Sequence, residues 1–316
     1  MKYTRRDIIR GIVSTAAGAV AGDWIGPRAR QADSADSPGS SGVVLPEIPL
    51  PRSDVLHGIR WLGNEFRDRN GGDVWSTTWA TDDNLYSVAD DTQGWNLSVF
   101  KIEGMPPGHK VTRVNAMQEY FPAGDGPWWK GAGLACIGGV LYLGIYSQSN
   151  PSRLSSSKVS FNADHSSIIK SADYGKTWSG SAKDHLARPM FPKKEFPTPF
   201  FVQYGKDYAG AMDEYVYLCS NDGGWNNWNR MMLARVLRKK LGELDRRDWE
   251  FFVAADGQNH PKWTADVSKT GSIFEHNPCF PAKWFEDGGK RLWAVQGGNY
   301  RGGGGYQFIT RKMEWN

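Results

Sequence analysis

Five acids stand where a carboxyl group could exchange a proton with a bound molecule: Asp73, Asp90, Asp91, Asp222 and Glu275. Each lies just before or just after a run of strand-forming residues, and Lys130, Asn221 and His276 occupy equivalent places. Paired carboxyls suit the breaking of a glycosidic bond. One donates a proton to the leaving oxygen; the other activates water or attacks the anomeric carbon. The two must stand roughly 5–5.5 Å apart for retention or roughly 6.5–9.5 Å for inversion, a distance no sequence supplies. Asp90 is the expected base or nucleophile, held by Asp73 or Asp91. Glu275 is the expected acid, because Phe274 and Pro278 flank it and would desolvate its carboxyl. Asp222 is the reserve. Trp128, Trp129, Trp225 and Trp228 are expected to stack on sugar C–H faces, and the asparagines around Trp228 would bond hydroxyls. For any single acid a solvated loop position is the simpler reading, and the tryptophans would serve equally to cap strands. The set carries more than its members.

The elements that must position these groups are hairpins. From about residue 55 one unit recurs: an apolar strand, a Gly/Asp/Asn turn, a returning strand rich in Tyr, Leu and Val, and a second, outer hairpin. The first unit pairs residues 74–80 with 85–89. The second pairs 132–137 with 140–146, with outer strands at 167–170 and 177–178. The third pairs 199–204 with 215–219, with outer strands at 231–236 and 249–253. The fourth pairs 278–284 with 291–295, and a last strand covers 306–315. A partial unit lies at 57–66. Repeated four-stranded units predict an all-β chain, a β-propeller of five blades closed by its terminal strands. The one expected helical turn is at 239–249. In such a fold, inner strands start and their partners end on one face, and the tight turns lie on the other. That sorting makes Asp82, Asp83 and Asp287 turn-formers and leaves Asp213 and Glu214 ambiguous.

Residues 171–178 read Ser-Ala-Asp-Tyr-Gly-Lys-Thr-Trp. Asp173 can fold its carboxylate onto turn amides, Gly175 supplies positive φ, and Thr177 and Trp178 would open a strand. The stretch resembles the Asp-box of sialidase-like β-propellers, where it is an architectural turn away from the active site. The runs Asp-Asp-Asn-Leu-Tyr, Phe-Val-Gln-Tyr-Gly-Lys-Asp-Tyr-Ala-Gly and Trp-Asn-Asn-Trp-Asn are similar to those of uncharacterised secreted bacterial proteins assigned to the glycoside hydrolases. That resemblance spans about residues 75–277 and implies a sialidase-like or arabinanase-like superfold acting on carbohydrate. It names no substrate, because the fold hosts hydrolases, lyases and lectins. A polysaccharide lyase, with His or Tyr as base and Lys130 or His276 facing a uronate, is one alternative; a non-catalytic glycan-binding propeller is another. A sialidase proper fits less well: no three-arginine clamp is visible, and Arg235 falls inside an expected outer strand.

Composition narrows the classes further. The 316 residues suffice for one large β domain, and aromatic content of 13%, with 15 Trp and 12 Tyr, suits carbohydrate faces. The net charge of +4 forms no basic face, so nucleic acid is not an expected partner. Cys136, Cys219 and Cys279 stand singly in apolar runs, without a Cys-x-x-Cys pair. No cofactor is expected, although an oxygen-rich mouth would suit Ca²⁺.

Arg5 and Arg6 precede a short apolar stretch at 11–21 that ends Ala-Val-Ala. This resembles a twin-arginine export signal with cleavage near residue 21. A Ser/Ala/Gly/Asp/Pro-rich linker at 22–51 follows, then the propeller domain at 52–316. The expected location is secreted or periplasmic, with no membrane span in the mature chain. Replacing Arg5 and Arg6 together by Lys should abolish export of a folded reporter fused after residue 51; unchanged periplasmic reporter activity would remove the signal assignment.

Overall fold

The described residues form four antiparallel sheets and few helical turns, an all-β arrangement. The computed structural model describes residues 59–68, 70–92, 96–120, 127–148, 163–193, 195–221, 231–256, 260–271, 282–287, 290–299 and 306–315. The chain divides into Met1–His57 and Gly58–Asn316, and all described residues belong to the second unit.

Strand β1 (Ile59–Asp68) comes first but joins the last sheet. The first sheet is β2 (Asp73–Trp79), β3 (Leu85–Thr92), β4 (Asn96–Glu103) and β5 (Lys110–Asn115), in that order. The second is β6 (Trp128–Ile137), β7 (Val140–Gln148), β8 (Ala163–Ser171) and β9 (Phe191–Pro192), with helix α1 (Ala182–Ala187) before β9. The third has five strands: β10 (Phe200–Phe201), β11 (Tyr215–Asn221), β12 (Met231–Leu237), β13 (Trp249–Ala255) and β14 (Pro261–Thr264). Helix α2 (Arg238–Leu241) joins β12 towards β13. The fourth sheet runs β15 (Phe285–Glu286), β16 (Arg291–Asn299), β17 (Tyr306–Trp315), β1.

Packing follows from the side-chain patterns. β11 and β12 alternate strictly between half-buried and buried residues, the period of a strand with one core face. β6 and β7 are buried almost throughout, and their runs are correspondingly apolar and Gly-rich. Among the described residues, hydrophobic clusters lie between neighbouring sheets. Val88, Leu97, Leu134, Leu143 and Ile145 join the first to the second. Phe191, Phe196, Leu218, Trp249 and Phe251 join the second to the third. Trp75, Phe100, Trp284 and Trp293 join the first to the fourth.

The turn ends are tied by polar side chains. Asp83, at φ 67°, receives Trp79 Nε1 at 3.0 Å and Lys206 Nζ at 3.1 Å, and Lys283 donates to its carbonyl. Asp207 Oδ1 accepts the Gly139 amide at 2.9 Å. Asp82 binds Asn84 and Tyr86, Asp287 pairs with Arg291, and Asp213 accepts from the Tyr215 amide and the Tyr217 hydroxyl. In the turn at 171–178, Asp173 accepts the Thr177 amide and hydroxyl, while Gly175 stands at φ 88° and its amide donates to Ser171 Oγ.

Several expectations are corrected. Thr177 and Trp178 open no strand: the Trp178 indole turns back to the Gly175 carbonyl at 3.1 Å, and the outer edge is completed only by β9. The partial unit at 57–66 is not a separate blade in its described part; β1 pairs with β17 from Ile59↔Trp315 to Asp68↔Phe308. Of the inner strand expected at 278–284, residues 282–284 form a 3-10 turn, and the strand is Phe285–Glu286. The stretch 239–249 does hold short helical turns, and α1 is a further helix that the periodicity did not signal. Among the described residues no helix is long and apolar enough to cross a membrane.

Gly133 is where the second sheet meets the third. A Cβ there would lie 2.6 Å from Phe200 Cα and Phe201 N, backbone atoms that cannot move aside cheaply. Gly133→Ala should cost about 1–3 kcal/mol in denaturant unfolding, whereas Gly108→Ala, whose nearest atom is 3.9 Å away, should cost far less. Equal losses would mean that the two sheets are not packed this closely.

Candidate active site

Three carboxylates and one ammonium converge where β2 begins, β3 ends and β6 begins. Asp73 opens β2 and stands opposite Asp90 in the β2–β3 register. Asp91 follows Asp90, and Lys130 is the third residue of β6. A regular pleat would send Asp90 and Asp91 to opposite faces. Bulges change that. Asp90 and Asp91 together oppose the single position between Ser98 and Asn96 on β4, and Asp91 has φ 48°. Val74 and Trp75, at φ 69° and 40°, likewise oppose one residue of β3, and Ala132 with Gly133 oppose one residue of β7. Positive φ at a β-branched residue is costly backbone, of the kind that collects at functional sites.

The surrounding contacts hold the bulges. The Trp75 indole is fully buried, 4.8 Å from the Phe100 ring, and donates to the Gly72 carbonyl at 3.0 Å. Gly72 has φ 132°, and a Cβ on it would lie 2.8 Å from the Asp90 carbonyl oxygen. Asp90 Oδ1 accepts the Gly131 amide of the second sheet at 2.8 Å. Its Oδ2 is buried and has no hydrogen-bond partner among the described residues. Lys130 is also buried; its ammonium pairs with Asp91 Oδ1 and sits 5.6 Å from the Trp128 ring.

Environment separates the carboxyls. Burial pushes Asp90 up to about 8, against the pull of Lys130 and the Gly131 amide. Burial and the Asp91 charge raise Asp73 to about 6, with Lys130 opposing. For Lys130, burial opposes the charge, but Asp90 and Asp91 outweigh it and the pKa rises. Burial thus favours the protonated form most strongly at Asp90, and Asp73 is the carboxyl poised to gain or lose a proton near neutral pH.

The structure thus brings together Asp73, Asp90, Asp91, Lys130 and Trp128. It corrects two expected roles. Asp90, only 2% exposed and neutral, has no open face from which to serve as base or nucleophile. Trp129 is 1% exposed, packed edge-on against Tyr120 at 6.3 Å, so its indole offers no surface to a sugar. Lys130 is engaged by Asp91 rather than facing outward. Asn221 ends β11 opposite Met231, its backbone amide donating to Thr198 Oγ1 at 3.4 Å. Asp222, Trp225, Trp228, Glu275 and His276 lie outside the described residues. Arg235 is elsewhere, between the Tyr215 and Trp263 rings at 4.0 Å from each and bonded to Glu250. Sequence reasoning missed Gly72, Trp75 and the Gly131 amide; backbone donors and bulges leave no composition signal. Among the described residues no group of His, Cys, Asp or Glu is arranged to hold a metal ion.

No family model matches the chain, and no curated protein matches it. Solved structures similar to it include a candidate hydrolase from Bacteroides ovatus: 13% identity, 81% of this chain, 74% of that one, TM-score 0.43. The GH43 BlXynB protein from Bacillus licheniformis matches at 11% identity over 74% of this chain and 38% of its own, with TM-score 0.38. A family 117 glycoside hydrolase from Zobellia galactanivorans matches at 14% identity over 80% and 85%, with TM-score 0.39. At such identity and overlap the likeness carries no argument about chemistry, which rests on the carboxyl cluster.

The Asp90 shift has a definite sign. Its folded pKa lies above the unfolded value, so the folded chain holds a proton the unfolded chain has lost. The contribution is fully present below pH ~4 and is lost as pH rises to about 8. Asp90→Asn should flatten the fall in stability across that window in urea titrations. An unchanged pH slope would show that Asp90 ionises normally.

Proposed function

We propose that this chain is an exported glycoside hydrolase on a β-propeller, with Asp73 as its proton-transferring carboxylate. The observation that carries the reading is the division of labour among three clustered acids. Asp90 is buried and neutral, Asp91 is paired with Lys130, and Asp73 is left partly accessible with a pKa raised to about 6. An acid or base works best when its pKa lies near the working pH. Ionised Asp73 would draw a proton from water as that water attacks the anomeric carbon. The carboxylic acid that protonates the leaving oxygen is assigned to Glu275, with Asp222 in reserve, both on sequence grounds. The β2–β3 register sets Asp73 opposite Asp90, and burial with the Asp91 and Lys130 charges sets its proton affinity. Trp128 is the stacking surface at this mouth. A lyase needs a cation free to neutralise a uronate; Lys130 is engaged by Asp91, which favours hydrolysis. The twin-arginine stretch supports export.

On a panel of cell-wall and algal glycans, the enzyme should release reducing ends without ultraviolet-absorbing unsaturated products. Asp73→Asn should lower kcat by about 10²–10⁴ while leaving the fold intact. The acid limb of kcat/KM should fall near pH 6, because Asp73 must be ionised to act. Unsaturated products would make the chain a lyase. Full activity in Asp73→Asn would remove Asp73 from the mechanism.

A further inference from the structure

A second concavity lies apart from the carboxyl cluster, where the outer edge of the second sheet meets the third. It encloses about 530 Å³, within the range of roughly 300–1,000 Å³ that small-molecule sites occupy. Its floor is apolar, from Ile168 of β8, Met190 and Leu244. Polar groups converge on it from both sheets: Arg188 after α1, Glu195 after β9, and Arg246 in the turn before β13.

These groups stand close enough for their charges to act on one another. The Arg246 guanidinium lies 4.4 Å from the Phe251 ring, its Nη2 donates to the Ala265 carbonyl at 3.2 Å, and the charges of Glu195 and Asp266 act on it. A guanidinium has five N–H donors, so most of the fork remains available. Arg188 acts through its charge on Asp184, and Glu195 through its charge on Arg246. His185, also on the wall, packs over Tyr120 at 6.2 Å; burial lowers its pKa and leaves it a neutral ring whose Nε2 faces the Ser179 carbonyl at 3.4 Å. The nearby acids Asp184 and Asp266 are held by Ser181 and Ser268.

We propose that this crevice binds a hydroxylated carboxylate of sugar-acid size, such as a uronate. Arg246 is preorganised to take a planar carboxylate bidentately, and Arg188 reaches it from the rim. Glu195 accepts hydroxyl protons, and Met190 with Leu244 meets the C–H face of the ring. A phosphate or sulfate would pair with the arginines but set extra negative charge against Glu195. A free sugar acid and the unit of an acidic glycan present the same group. The inference does not depend on the hydrolase reading, because no residue is shared between the two places.

Calorimetry on the full chain tests it, with galacturonate, trigalacturonate, galactose and inorganic phosphate as probes. Galacturonate or its trimer should bind and galactose should not. Tighter binding of the trimer assigns the site to a glycan, and equal binding assigns it to the free acid. Arg246→Met should weaken uronate binding about tenfold or more, the loss expected for a charged fork. Arg188→Met, at an exposed position, should weaken it without altering the melting temperature. Asp73→Asn should leave it unchanged. The proposal is overturned if uronate gives no heat, if galactose binds as well as galacturonate, if phosphate binds more tightly, if neither arginine variant matters, or if Asp73→Asn abolishes binding.

Discussion

The hydrogen bond from the Gly131 amide to Asp90 Oδ1 joins two sheets whose inner strands share no ladder. β2 and β6 lie side by side in different sheets, so their spacing is held by side chains reaching to backbone. Ser76 Oγ accepts from Leu134 N at 3.2 Å and Thr78 Oγ1 accepts from Cys136 N at 2.8 Å, while on the other side Gln203 Nε2, following β10 of the third sheet, donates to the Leu134 carbonyl at 2.6 Å. Asp90 is the member of this series that is both ionisable and buried. A buried polar group is costly unless paired, roughly 1–3 kcal/mol for an unmatched atom, and Oδ2 is unmatched among the described residues. Neutrality is the cheapest form for such a carboxyl.

The two ends of the hairpins do different physical work. At the turn end, aspartates are saturated with donors and tie adjacent sheets together, as Asp83 does between Lys206 and Lys283. At the opposite end, three strand bulges bring carboxyls towards each other. Like charges held close repel, and the arrangement stands because one carboxyl is neutral and one is paired with Lys130. The strain at Val74, Trp75 and Asp91 is anchored by the buried Trp75 indole and by a glycine at position 72 that leaves room for the Asp90 carbonyl.

Much of this was legible in the residues. The hairpins of the first three sheets fall close to the expected stretches, because turn residues flank runs of branched and aromatic side chains. The structural use of Asp82, Asp83, Asp173 and Asp287 was readable from the turns that hold them, and the meeting of Asp73, Asp90, Asp91 and Lys130 from strand ends. Trp128 and Trp129 were not separable. Which of two adjacent residues faces the core depends on strand parity, and the bulge at Ala132 and Gly133 shows how easily parity shifts along β6. Two-residue strands such as β9 and β10 carry too little pattern to be seen, and α1 is too short for a 3.6-residue period to register.

The sequence alone determined the alternation of strands and turns, because backbone preference and side-chain branching act over a few neighbouring residues. It also determined which acids could sit near a mouth, since position relative to a hairpin is a local property. Only the tertiary structure decided that Asp90 would be buried and neutral, that Lys130 would belong to Asp91, and that Asp73 would keep access to solvent. Burial and charge pairing are set by residues distant in the chain, Gly131 facing Asp90 across 41 positions and Lys130 facing Asp91 across 39, and proton affinity is a property of that assembled surrounding rather than of the residue itself.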